Sequence, residues 1–303
     1  MDNSVLLVSP SPHVRAKHTT RSIMLDVIIA LCPALVASVI IFGWRAALVT
    51  AFCVALCVFF EWAFEKICKR DVTVGDLSAI VTGLLLSFNL PVGIPLWQAA
   101  IGCLVAIVIV KQLFGGIGCN FANPAITARV VMLISFAGSM SDFAAKNDAT
   151  SSATPLSGGE MPSVLDLFLG NHGGSLGETC ALALLLGGVY LIVRRVITWH
   201  TPVVFVATVF VFTFLLGENP VEHVLTGGLL LGAIFMATDY STTPSTKWGK
   251  VIFGLGCGII TVLIRVFGNY PEGVSFAILF MNILTPLISM WTRKKAFGGV
   301  IKK

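Results

Sequence analysis

A chain of 303 residues that is 56% hydrophobic and 12% charged, with mean hydropathy +0.92, holds about half the charge of a soluble domain. That composition excludes an ordinary water-soluble enzyme and places the chain in lipid. The formal net charge of +5 needs no nucleic acid to explain it, because the basic residues lie beside apolar runs, where they set membrane orientation.

A polar segment, 1–22, opens the chain and includes Arg15, Lys17, His18 and Arg21. The first apolar run follows it and is too long for the h-region of a signal peptide, so no cleavable leader is expected. Apolar stretches then cover 23–42, 46–65, 77–90, 96–113, 123–138, 176–197, 202–217, 223–238, 250–268 and 275–291. They predict an all-α polytopic membrane protein with ten transmembrane helices, several near the minimum spanning length of about 17 residues. With the N-terminus inside, 16 of the 20 Lys and Arg residues fall at cytoplasmic ends, leaving Arg45, Arg129, Lys146 and Arg265 as exceptions. Both termini are then cytoplasmic. The polar loop 139–175, with Asp142, Asp148, Glu160 and Asp166 against Lys146, lies outside.

Sequence motifs recur in order. Val81-Thr82-Gly83-Leu84-Leu85-Leu86 is echoed by Leu225-Thr226-Gly227-Gly228-Leu229-Leu230-Leu231, 144 residues on. Trp97, Gly102-Cys103, Lys111 and Phe114-Gly115 are echoed by Trp248, Gly256-Cys257, Arg265 and Phe267-Gly268, and Asn123-Pro124 by Thr285-Pro286. The shared order predicts duplication. Five helices is an odd number, so the copies, 23–138 and 176–303, are expected as two inverted five-helix repeats flanking the loop 139–175. Inverted repeats bind their ligands near the midplane, where Gly and Pro break the helices. The candidate breaks are 89–91, 115–124 and 238–244. Loops at the membrane surface are the other reading, which explains the first break equally well.

Several chemistries are missing from the sequence. No phosphate-binding G-x-x-x-x-G-K-[ST], no C-x-x-C-H haem site and no H-E-x-x-H motif occurs. The eight cysteines lie mostly in apolar runs, with no C-x-x-C, and are expected as small buried hydrophobes; Cys53 and Cys57 share a helix face but lack a nearby His or third Cys in sequence. Neither catalytic side chains nor a resident metal is expected, which leaves passive or ion-coupled transport, or redox chemistry on a bound cofactor.

Within the loop, Asp148 precedes Ser151-Ser152-Ala153-Thr154-Pro155. A solvated Ser/Thr turn is one reading. The segment also looks like the acceptor motif [ST]-x-A-T, onto which a flavin transferase esterifies the phosphate of FMN. Together with Lys111-Gln112-Leu113-Phe114-Gly115-Gly116-Ile117-Gly118-Cys119-Asn120-Phe121-Ala122-Asn123-Pro124-Ala125, Phe235-Met236-Ala237-Thr238-Asp239 and Ser11-Pro12-His13, it resembles the RnfD/NqrB family, whose members belong to the Rnf complex and to the related sodium-translocating NADH:quinone reductase. Ser152 stands where many relatives carry Gly.

The resemblance spans almost the whole chain and implies a membrane subunit of an ion-translocating ferredoxin:NAD oxidoreductase, moving Na+ or H+ and inactive without its partner subunits. It implies covalent FMN on Thr154, with Ser151, Ser152 and Asp148 around it, and a second, non-covalent flavin, riboflavin in relatives, near Asn120, Asn123 and Asp239. The residues add that amides and a carboxylate suit the ring edge of a flavin; Asn120 and Asn123 could instead cap the helix starting at Pro124. A redox pump is energetically adequate: one charge moved against ~150 mV costs roughly 3.5 kcal/mol, while two electrons falling through ~300 mV release about 14 kcal/mol. The rivals are a small-solute channel or transporter of the same architecture and a membrane anchor for redox subunits. Of the ionisable groups within spans, Asp26, Glu65 and Asp76 fit helix-end roles, Arg129 fits a counter-charge, and Glu61 stands out as the one needing another explanation.

Overall fold

The computed structural model describes residues 19–144, 151–152, 163–170, 172–268 and 273–293. Local polar chemistry sets where its helices begin. Thr19 caps α1 (Thr20–Phe42), its hydroxyl accepting from the Ser22 amide at 3.3 Å. Gly43, at φ 77°, then turns the chain straight into α2 (Trp44–Ile67), a conformation glycine adopts without a Cβ clash. A 3₁₀ turn, Val74–Asp76, leads to α3 (Ser78–Phe88), where Asp76 Oδ1 accepts from the Ser78 amide at 2.8 Å. Its negative charge favours the positive start of that helix.

The fourth helix, α4, begins at Leu96 and widens into π geometry over Val105–Gln112. After a glycine-rich break, Asn123 caps α5 (Pro124–Ser135), accepting from the Ala125 and Ile126 amides with Pro124 at the first position. A short α6 (Ala137–Met140) follows, then an antiparallel pairing of Phe143–Ala144 with Ser151–Ser152, and α7 (Val164–Leu169). The second half comprises α8 (Ala181–Val193), α9 (His200–Leu215), α10 (Pro220–Leu225), α11 (Leu229–Leu231, continuing as a π turn Gly232–Met236), α12 (Lys247–Phe267) and α13 (Gly273–Thr292). Apart from the two-residue pairing, the described elements are helical, as expected.

By length and composition α1, α2, α12 and α13 can cross a membrane; α3, α4, α5, α8 and α9 are shorter apolar helices. At 1.5 Å per residue, the 11 residues of α3 cover about 16 Å, roughly half a hydrocarbon core. One expectation changes. The stretch 223–238 is two helices, broken at Thr226–Gly228, where Gly227 and Gly228 take φ of 66° and 67°.

In lipid, helices gain little from hydrophobic exclusion of one another and associate through close backbone approach. The crossings follow that rule. A Cβ on Gly83 of α3 would lie 2.8 Å from Val54 Cα of α2, and one on Gly187 of α8 would lie 2.2 Å from the Ala30 carbonyl of α1. Gly254 of α12 meets the Thr201 carbonyl of α9 in the same way, at 3.0 Å. α5 packs on α13, joining the halves a second time beside the α1–α8 contact. Trp44, Ile67, Trp248 and Trp291 are at least three-quarters exposed, an outer surface that only lipid or protein partners can cover.

Candidate functional site

Two of the three candidate breaks, 115–124 and 238–244, converge on one cavity, whose lining does not include 89–91. Its empty space, open solvent at the mouth included, is about 820 Å³. α3 supplies Ser78, Val81, Thr82 and Leu85 to its wall; α1 supplies Ile23, Met24 and Val27; Leu191, Val196 and Ile197 come from the end of α8; and Phe235 comes from α11. The glycine-rich break adds Ile117, Gly118, Asn120, Asn123 and Pro124, and the segment after α11 adds Thr238, Asp239, Tyr240 and Ser241. Lys111, from the end of α4, completes the wall. Gly115, Gly116 and Gly118 at φ of 118°, 94° and 84° make the tight path that brings Asn120 round to it.

Asn120, Asn123 and Asp239 therefore share the cavity. Their side chains are not idle. Asn123 is 3% exposed, and its Oδ1 caps α5 at 3.1 and 3.3 Å while its Nδ2 donates to the Met236 carbonyl at 3.3 Å. The capping reading holds for this residue, which also ties one break to the other. Asn120 Nδ2 donates to the Ala122 carbonyl at 3.1 Å, and Asn120 Oδ1 accepts from Ser241 Oγ at 3.2 Å. Asp239 Oδ2 accepts from Ser241 Oγ and Thr242 Oγ1, both at 3.1 Å. An apolar wall with an ammonium, a carboxylate and a few hydroxyls suits a flat aromatic ring with a polar edge.

A buried charge cluster stands behind Lys111. Lys111 Nζ lies 2.6 Å from Glu61 Oε1 and 2.6 Å from Ser78 Oγ, and Gln112 Nε2 donates to the same Glu61 oxygen at 2.8 Å. Glu65 receives the Thr73 amide at 3.1 Å and the Thr73 hydroxyl at 2.5 Å. The expectation of a helix-end role is met for Asp76, and Asp26 pairs with Arg194 at 3.3 Å and with Tyr190 Oη at 3.0 Å. Glu61, singled out in sequence, is the acid of the Lys111 pair. Lys111, counted in sequence as a cytoplasmic loop charge, is 3% exposed and paired.

A second polar cluster lies where the segment before α8 packs against the end of α3. Arg129, 2% exposed, donates to Asn89 Oδ1 and lies 3.8 Å from Glu178 Oε2, the counter-charge role expected of it. The amides of Leu176 and Gly177 donate to the carbonyls of Leu90 and Phe88 at 3.0 and 2.9 Å, docking this segment on the end of α3.

Ser151 and Ser152 pair with Ala144 and Phe143 through the backbone. Thr154 and Asp148 lie outside the described residues. Cys103, which spacing could not reveal, joins Cys53, its Sγ 3.6 Å from the Cys53 carbonyl. No group of three or more His, Cys, Asp or Glu able to hold a metal occurs among the described residues. Sequence reasoning also missed the wall contributions of Ser78 and Val196; the recurrence of Lys111 as Arg265 in the repeat was the available hint of a buried cation.

The family described as NQR2, RnfD, RnfE matches residues 7–298. The D component of the Na(+)-translocating ferredoxin:NAD(+) oxidoreductase complex of Acetobacterium woodii is 48% identical over 98% of this chain and 97% of its own length. The D component of the proton-translocating ferredoxin:NAD(+) oxidoreductase complex of Clostridium ljungdahlii is 41% identical over 97% of each. The corresponding component of the ion-translocating oxidoreductase complex of Marinobacter nauticus is 36% identical over 97% of this chain and 95% of its own. With a match of that extent, on a helical body that brings residues of the 111–125 and 235–239 motifs into one cavity, this chain belongs to the NQR2, RnfD, RnfE family.

Proposed function

We propose that this chain is the flavin-carrying membrane subunit of an Rnf-type complex that couples electron transfer between ferredoxin and NAD to translocation of Na+ or H+. Near full-length similarity to subunits named for that reaction supports the role in a complex. The convergence of Asn120, Asn123 and Asp239 on one cavity, from positions more than 100 residues apart, is the single observation that carries the flavin reading. In this reading the second flavin, riboflavin, lies in that cavity, and FMN is esterified through its phosphate to Thr154 by a flavin transferase, with Ser151, Ser152 and Asp148 forming the acceptor segment.

The flavins, when bound, supply the redox chemistry; the chain's residues hold and shield them. Apolar side chains from α1, α3, α8 and α11 exclude water from the cavity. Asn123 fixes the two breaks against each other, Asn120 and Ser241 hold Asp239 in place, and Lys111 places positive charge in the wall. The chain sits in the cell membrane as ten spans in two inverted repeats, with both termini cytoplasmic and loop 139–175 outside. Short helices that end at breaks, α3 and α5 above all, support that plan. Its partners are the other membrane and peripheral redox subunits of the complex, and lipid.

The test uses complex purified from its native host. On a denaturing gel this subunit is expected to fluoresce and to carry an FMN-sized mass addition, and Thr154→Val abolishes both. Acid precipitation of the same sample releases the non-covalent flavin. A subunit without covalent or releasable flavin is the outcome expected of a channel, transporter or anchor, and would overturn the reading.

A further inference from the structure

A second cavity adjoins the first, with about 570 Å³ of empty space, open solvent at the mouth included. Val196, Ile197, Thr238 and Tyr240 line both. The rest of its wall comes from the starts of two long helices, Thr198 and Thr201 at the entry to α9 and Ser245 and Lys250 at the entry to α12 among them. Hydrogen-bond donors gather on that side. Thr201 is 2% exposed, yet its hydroxyl has no partner among the described residues. α9 starts without a side-chain cap, so the amides of His200 and Thr201 in its first turn have no partner within the helix. Lys250 Nζ gives one proton to Thr198 Oγ1 at 2.9 Å and keeps two. The hydroxyls of Thr238, Tyr240 and Thr243 have given theirs to backbone carbonyls, which leaves the donors on the helix starts. No acid lines the cavity among the described residues. Free donors, an ammonium and two positive helix ends without an acid make an anion site.

The surroundings decide which anion. α12 is long and apolar enough to cross a membrane, so its first turn stands at the membrane surface. Trp199 and Trp248, 54% and 75% exposed on the two helix starts, suit that level. One turn further along, Val203 of α9 and Ile252 of α12 are exposed apolar side chains that acyl chains can cover. We propose that the second cavity holds the phosphate of an anionic phospholipid. Lys250, Thr198, Thr201 and Ser245 are its donors, and the acyl chains run over the exposed faces of α9 and α12. A basic pocket between helices at the membrane surface is the general form of such a site. A head group that carries its own cation, such as choline, finds no counter-charge in this lining. The site stands apart from the flavin reading, since none of the four donors lines the first cavity.

The experiment uses purified complex, stripped of lipid by detergent exchange and titrated with phosphatidylglycerol or phosphatidylcholine. Native mass spectrometry reads the lipid that this subunit retains on release from the complex. The parent is expected to bind phosphatidylglycerol at least about fivefold more tightly than phosphatidylcholine, the effect of one Lys near an anionic lipid. Lys250→Gln removes that advantage and leaves phosphatidylcholine binding unchanged. Thr201→Val weakens phosphatidylglycerol by a similar factor, roughly that of one hydrogen bond; Ser245→Ala, at an exposed position, carries the hydroxyl test if that variant does not fold. Lys247→Gln, a cation of the same helix outside the lining, is expected to bind as the parent does. Equal binding of the two lipids by the parent overturns the proposal. Equal losses in Lys247→Gln and Lys250→Gln do so as well, because they make the attraction a diffuse basic surface. Displacement of phosphatidylglycerol by inorganic phosphate at comparable concentration assigns the cavity to free phosphate, and the lipid site falls.

Discussion

Replacing Lys111 by Met tests whether the buried pair behind the cavity is held together by charge. Glu61 is 0% exposed and Lys111 3%. Glu61 Oε1 takes Lys111 Nζ at 2.6 Å and Gln112 Nε2 at 2.8 Å, while Glu61 Oε2 has no partner among the described residues. Lys111→Met therefore leaves a carboxylate out of water with one neutral donor. Breaking a buried pair in this way costs about 3–5 kcal/mol, because the remaining charge loses its compensation. At roughly 2 °C per kcal/mol for a chain of this size, the melting temperature in one fixed detergent is expected to drop by on the order of 6–10 °C, read by tryptophan fluorescence. Glu61→Gln combined with Lys111→Met removes both charges and is expected to recover most of the loss, since the introduced amide keeps an acceptor for Gln112. The reasoning is refuted if the single variant melts with the parent, or if the double variant falls as far as the sum of the two single ones.

Two further outcomes follow from packing and capping. Gly177→Ala places a Cβ 2.3 Å from Phe88 Cβ, which is fully buried; such overpacking costs about 1–3 kcal/mol, so limited proteolysis near 172–180 speeds up. Gly75→Ala, with nothing within 4 Å, leaves the cleavage pattern unchanged. Asn123→Ala removes the α5 cap, about 1 kcal/mol, and the bond to Met236; Asn123→Ser restores only the cap. The melting temperature of the Ser variant should then lie between those of the Ala variant and the parent, and coincidence of the Ser and Ala variants would count against the capping role.

Much of the cavity was legible in the sequence, because the features that mark it are local. Glycines at 115, 116 and 118, and Asn123 before Pro124, announce a chain break whatever surrounds them, and a broken helix in lipid must line a cavity or be covered. Asp239 belonged to a polar run between apolar stretches and could be placed on the same ground. What the sequence hid depends on contacts between distant helices. Lys111 looked like one more interfacial cation, since nothing local indicates that Glu61, 50 residues earlier, lies against it. Val196 had no signal at all, because its carbonyl becomes part of a cavity wall only through the packing of the segment after α8 against the one before α12, where Tyr240, inside the break 238–244, meets it. The break at Thr226–Gly228 was written in its Gly-Gly pair, but the apolar run through it read as continuous.

That missed break also explains why the two halves treat one cation position differently. The repeated motifs align Lys111 with Arg265 and the third apolar stretch with the eighth. In the first half α3 runs unbroken through Thr82-Gly83, so its carbonyls are satisfied within the helix and offer nothing to a cation. Lys111 meets instead the start of that helix, where positive charge is disfavoured, and Glu61 and Asp76 lie beside it. In the second half the chain opens at Thr226–Gly228, freeing carbonyls at the end of α10. Arg265 takes those of His223, Thr226 and Gly227 at 2.6, 3.2 and 2.9 Å, a helix end that welcomes a cation. The acids of α2 have no counterpart in α9, His200–Leu215, which contains neither Asp nor Glu.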